Sequence, residues 1–222
     1  AEFVRPALVR ALAALGSDVR VQPVLIREAG RGEDFFRSAV IEALGDYRAA
    51  YAYQTLAALA NLDGPLRDDA IVALGKIGDK RAMETLALAQ RAAPRNEQPS
   101  IAAAICLLGS NCDLHQNYLI ETLKFAEANQ GYEELLRGAS AALATLGTSG
   151  HRESAQALMD IGSPSQDPTR ARAALALATI ALRNTSSFLP LLERQSKRAE
   201  VIDLLAEGFD MLEEDLDKER FF

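Results

Sequence analysis

Leucine recurs along this chain at a spacing that neither a single helix nor a single strand explains. Six leucines with a polar residue or Pro two positions before them, Leu25, Leu56, Leu86, Leu123, Leu158 and Leu192, recur at intervals of 31, 30, 37, 35 and 34 residues. Around these anchors the apolar positions follow a helical period, and Val, Ile and Thr are too thinly spread to form alternating strand-like runs. An Ala- and Leu-rich segment precedes most anchors and ends in an apolar residue, Gly and a small polar residue: Leu15-Gly16-Ser17, Ile77-Gly78-Asp79, Leu108-Gly109-Ser110 and Leu146-Gly147-Thr148. Gly closes a helix in the left-handed conformation, and Ser, Asp or Thr accepts hydrogen bonds from the free N–H groups that open the next. Each period therefore predicts helix, tight turn, helix. Pro65, Pro99 and Pro168 mark the starts of new first helices, where a missing N–H costs nothing.

Internal repetition at this period means stacked helix pairs. The ankyrin Thr-Pro-Leu-His signature is absent, and the Leu-Gly pair ends the first helix instead of standing early in it, which argues against tetratricopeptide units. The stretch Leu66-Arg67-Asp68-Asp69-Ala70-Ile71-Val72-Ala73-Leu74-Gly75-Lys76-Ile77-Gly78-Asp79 resembles the short HEAT-like repeat found in many bacterial proteins, phycobilin lyases among them. Pro23 and Pro190 resemble the proline often found in that family's second helix. The resemblance implies an all-α, right-handed superhelical solenoid of about six helix pairs plus a C-terminal capping helix. First helices would then lie on the convex side and second helices on the concave side.

A single repeat domain over 1–222 is expected, with repeats at about 4–34, 35–64, 65–97, 98–134, 135–167 and 168–198 and a cap at 199–222. Expected core positions are Leu12, Leu44, Leu74, Leu143 and Leu177 on first helices, and Leu56, Leu86, Leu123, Leu158 and Leu192 on second helices. The pattern has departures: Tyr47-Arg48 replaces Leu-Gly in the second repeat, Ile180-Ala181 in the sixth, and Asn129-Gln130-Gly131 lengthens the exit of the fourth. In the cap, Val201, Leu205, Phe209, Leu212 and Leu216 form one stripe, opposite acidic residues. The opening Ala1-Glu2-Phe3 leads straight into a helical pattern and lacks Met, so the chain reads as the C-terminal piece of a longer protein, with an unusually apolar flank on its first repeat.

Charge narrows the partner. The formal net charge is −7. Residues 200–222 carry nine acidic side chains against Lys218 and Arg220, so the preceding body is balanced. A protein that tracks a nucleic-acid backbone needs surplus Lys and Arg to displace counterions, so no nucleic acid is expected, and a DNA-gripping HEAT protein ranks low. The acidic terminal helix, with Phe221-Phe222, offers a docking surface to a basic partner, although such runs are commonly solvated faces. No run of about 18 apolar residues suggests a membrane span, and the opening residues lack the basic-then-apolar pattern of a signal peptide.

Catalytic and metal chemistry is thinly represented. His115 and His151 stand apart from a second His or a paired Cys, Gly30-Arg31-Gly32 is an inter-repeat turn, and no Ser, Cys or Thr has the local context of an activated nucleophile. No enzyme, metal or cofactor is expected. With only Cys106 and Cys112, a reducing cytoplasmic compartment is expected, with Cys106 as a small core residue and Cys112 exposed in a turn. A HEAT-like assistant to an enzyme, of the phycobilin lyase kind, is the alternative that the resemblance leaves open.

Helix geometry points to a binding face. Positions five and two before each anchor, and two after it, lie far around the helix from the buried side. The columns five before (Arg20, Tyr51, Arg81, Tyr118, Glu153, Ser187) and two after (Arg27, Ala58, Leu88, Phe125, Asp160, Arg194) contain Arg, Tyr and misplaced apolar residues, the types that anchor protein interfaces. A scaffold is predicted that binds a protein or peptide along a groove over repeats two to four. Its contacts would be Tyr51, Arg81, Leu88, Tyr118 and Phe125, with Glu84 and Glu121 between them. Sideways packing between neighbouring second helices is the competing account of the same residues.

Overall fold

The computed structural model describes residues 4–214, with side chains to residue 212. Every regular element among them is helical. The chain divides into two compact units between Cys112 and Asp113.

In the first unit, α1 (Val4–Ala14), α3 (Asp34–Asp46), α5 (Arg67–Ile77) and α7 (Gln98–Leu107) are first helices, each packed on the one before. The second helices are α2 (Gln22–Ala29), α4 (Tyr53–Ala60, after one 3-10 turn at Ala50–Ala52) and α6 (Ala82–Ala92). Small residues set the spacing of the first-helix layer. A Cβ added to Gly45 would lie 2.9 Å from the Cα of Ala73, and one added to Gly75 would lie 2.6 Å from the Cα of Ala104. Leu44, Leu74, Leu25, Leu56 and Leu86 are fully buried between the layers. A polar ladder runs along the first helices: Asp46 accepts from Arg10 at 3.0 Å and from Lys76 at 2.6 Å, and the Ser100 hydroxyl donates to Asp68 at 2.7 Å.

The turns explain the repeat punctuation. Gly78 and Gly109 adopt the left-handed conformation, with φ of 78° and 79°, and so close α5 and α7 as predicted. Where the second repeat lacks Gly, Arg48 itself takes a left-handed φ of 51°. Two expected closers behave otherwise. Gly16 is absent from the left-handed set, and its turn is held by hydrogen bonds such as Gly16 N–H to Ala13 O, with the Gln22 side chain donating to the Gly16 carbonyl. Gly147 stays helical, because its place is set by close approach to Ile180, and Gly150 makes the left-handed turn instead.

The second unit holds α8 (Cys112–Ala128, beginning at the last residue of the first unit), α9 (Glu133–Thr148), α10 (Arg152–Gly162), α11 (Thr169–Arg183), α12 (Thr185–Glu193) and α13 (Arg198–Glu214). Here α9, α11 and α13 pack in series, with α10 and α12 against them. Leu123, Leu143, Leu158 and Leu177 are fully buried. The long exit of the fourth repeat turns at Gly131, with a φ of 86°.

Three expected core positions differ. Leu12 is half-buried because α1 has a flank that no described residue covers, and Leu192 is half-buried because Phe188 is the buried side chain of α12. In α13, Val201, Leu204, Leu205 and Gly208 face inward, and Phe209 is exposed. Gly208 lies directly on the backbone of Ala174, and that contact rotates the buried stripe away from Phe209. Leu216 and Phe221-Phe222 lie outside the described residues.

The cysteines also differ from expectation. Cys106 and Cys112 are bonded as a disulfide across the turn between α7 and α8, Cys106 buried and Cys112 half-buried at the first position of α8. An isolated core thiol and an exposed one are thereby corrected to a pair, and unpaired cysteines no longer argue for a reducing compartment. The left-handed turn residues Gly109 and Asn111 fold the chain back sharply enough for the two to meet.

Candidate second-helix binding faces

Position Arg81 is set by its turn. Asp79, immediately after the left-handed Gly78, accepts the Arg81 backbone N–H at 2.9 Å and holds the Arg81 guanidinium with both carboxylate oxygens. That pairing keeps the Asp79 carboxyl below its ordinary range, the side-chain hydrogen bond contributing most. The guanidinium lies 4.3 Å from the centre of the Tyr53 ring of α4, within cation–π range. Arg81 is therefore pre-ordered yet exposed, so little rotamer entropy is lost when it meets a ligand. Glu84 and Leu88 follow at three and seven residues further along α6, on the same side of the helix, and both are exposed, Leu88 to 55%.

The same device occurs two repeats earlier, where Asp18 accepts the Arg20 backbone N–H at 2.9 Å and chelates its guanidinium. Between these two lies Tyr51, preceded by Ala49 where the others have Asp. With no carboxylate to hold it outward, Tyr51 turns inward and packs against the core of its unit, its ring edge near Gly16. Its hydroxyl is buried without a hydrogen-bond partner among the described residues, and burial raises its pKa. Tyr51 thus packs sideways between helix pairs, as the competing account of these columns holds, while Arg81, Glu84 and Leu88 face solvent.

In the second unit, Tyr118, Glu121 and Phe125 take the same three- and seven-residue spacing on α8. Tyr118 and Glu121 are exposed and Phe125 is half-buried. Phe125 meets Tyr132 edge to face at a centroid distance of 4.9 Å, and Lys124 donates to Glu121 at 2.8 Å. The sequence reading missed Leu114, which is exposed four residues before Tyr118 and extends this apolar line. The helical spacing could have found it, since the columns stopped five residues before the anchor. His115 is half-buried in the first turn of α8, and burial lowers its pKa.

Comparison with known families agrees with this architecture. Residues 66–91 match the family model described as the PBS lyase HEAT-like repeat, a stretch that takes in α5 and nearly all of α6. That one helix pair is similar to a HEAT-like repeat, and the helices of each unit pack in series as stacked helix pairs do. Comparison with curated proteins gave no match. No helix among the described residues is long and apolar enough to cross a membrane.

Proposed function

We propose that this chain is a non-catalytic scaffold that binds a partner protein or peptide through the outward faces of its second helices. The observation that carries the reading is Leu88, a large apolar side chain exposed on α6 beside an Arg81 already fixed by Asp79 and Tyr53. Arg is among the residues on which interface energy concentrates, and a large apolar side chain left in solvent beside it gains from burial against a partner. On α8 the apolar line of Leu114, Tyr118 and Phe125 offers a second face, with Glu121 at its edge. Tyr51 packs inward near Gly16 and is left out of this face. The acidic stretch at the C-terminal end, attractive to a basic partner, adds a charge-steered contact that weakens as salt shortens the Debye length to about 8 Å at physiological strength.

The experiment is comparative capture from extracts of the source cells, using the intact chain and a Leu88→Asp, Arg81→Ala variant. A defined protein held by the intact chain and lost by the variant, at an unchanged thermal midpoint, supports the scaffold reading. Identical recovery by both proteins counts against this face. Uptake of a bilin, seen as new visible absorbance on mixing, would favour a lyase-type role instead.

A further inference from the structure

Helix α1 leaves a narrow apolar stripe uncovered. Val4, Leu8 and Leu15 are 58%, 56% and 58% exposed, and Ala11 between them is exposed as well. At 100° per residue these four positions fall within about 60° of one another on the helix surface. The buried residues Val9 and Ala13 lie on the other side.

The internal repeats show what such a stripe is for. Aligning the first helices on the residues that follow them, Gly16, Arg48 and Gly78, puts Val4, Leu8 and Ala11 level with Phe36, Val40 and Ala43 of α3 and with Leu66, which caps α5, and Ala70 and Ala73 within it. All six of those counterparts are buried. The alignment also sets the buried Val9 level with Ile41 and Ile71, and Ala13 level with Gly45 and Gly75. Within the array this column meets the preceding first helix, since Ala73 receives Gly45 and Ala104 receives Gly75. The level ion pair of Asp46 with Lys76 shows that successive first helices run parallel and in register. Two features adapt the α1 stripe to an apolar occupant. Ala7 stands where α5 has Asp69, and no charged side chain interrupts the stripe.

We infer that the Val4, Leu8 and Ala11 stripe is a docking surface for the first helix of another HEAT-like helix pair, lying parallel to α1 as α3 lies to α5. That helix presents a Gly or Ala opposite Ala11, because the internal contacts at this level all pair small residues. Such arrays gain stability from each matched neighbour.

The test joins a helix pair ahead of α1 in the full chain, using in one fusion a copy of residues 34–66 and in another a copy of residues 67–97. Each is compared with and without Ala11→Glu. At least one fusion should melt in a single transition several degrees above the chain alone, with slowed amide exchange across α1. Ala11→Glu should abolish that gain while leaving the unfused chain's midpoint unchanged, since Ala11 is exposed there. Two fusions guard against one poorly fitting copy. The inference is overturned if neither fusion raises the midpoint, or if the gain survives Ala11→Glu. It is overturned equally if light scattering shows the unfused chain to be a dimer that Ala11→Glu separates, because the occupant is then a second copy.

Discussion

Gly75 of α5 sits directly on Ala104 of α7, so closely that a Cβ at Gly75 would lie 2.6 Å from the Ala104 Cα and 2.9 Å from its carbonyl oxygen. Neither atom can move without displacing a helix. Three residues later Gly78 is left-handed at φ 78°, with nothing within 4 Å of its missing side chain. The two glycines are needed for different reasons, and the same substitution separates them. Gly75→Ala should cost about 1–3 kcal/mol by overpacking, even after the helix propensity that Ala returns. Gly78→Ala should cost about 1–2 kcal/mol by backbone conformation alone. A further Ala104→Gly change should rescue neither loss, because the Cα and carbonyl oxygen that block the first remain in glycine. Arg48, left-handed at the level of Gly78, should tolerate Arg48→Gly with a gain of up to about 1 kcal/mol. Denaturant unfolding of these five variants checks all of these outcomes.

The disulfide gives a second prediction. Cys106 and Cys112 close a short loop, with a sequence separation of 6, and loop closure of that length restricts the unfolded chain by about 2 kcal/mol. Treatment with a dithiol reductant should lower the stability by that amount. A Cys106→Ala, Cys112→Ala protein should match the reduced chain and ignore the reductant. Indifference of the native chain to reductant would mean that the bond contributes nothing to folding.

Asp69 of α5 faces α3 and should make the stability depend on pH. Burial raises its pKa above the ordinary 3.8, opposed by the Ser38 hydrogen bond and Lys76 and reinforced by Glu42 and Asp68. A carboxyl that binds its proton more tightly when folded adds stability at low pH. That contribution is complete below 3.8 and is lost as pH rises through the folded value. Asp69→Asn should therefore be more stable than the native chain at neutral pH, with the difference shrinking as pH falls towards 3.8. Paired unfolding curves across that range measure it, and a difference that grows on acidification would contradict the assignment.

Much of this fold was legible in the sequence, because the anchors Leu25, Leu56, Leu86, Leu123 and Leu158 are buried by the helical period alone, and that period is local. Contacts between pairs were not. Gly147 looked like a helix closer until Ile180 of another repeat gave it a packing role, and Gly208 against Ala174 rotated α13 so that Phe209 came to the surface. For the candidate faces, the column reasoning correctly placed Arg81, Glu84 and Leu88 in solvent. It failed for Tyr51, whose direction depends on the missing turn carboxylate at Ala49 and on space beside Gly16, thirty-five residues earlier. The cysteine pair escaped because only the turn geometry at Gly109 and Asn111 brings the two sulfurs together.

The central claim is that the second-helix faces do the binding. It is met most directly by amide hydrogen exchange of the whole chain with and without a purified partner from the capture experiment. Bound partner should slow exchange in residues 81–92, and in residues 112–128 where the α8 line is engaged, while the first helices α3 and α5 exchange as before. Protection confined to α3, α5 or the turn between α7 and α8, with 81–92 unchanged, would contradict it.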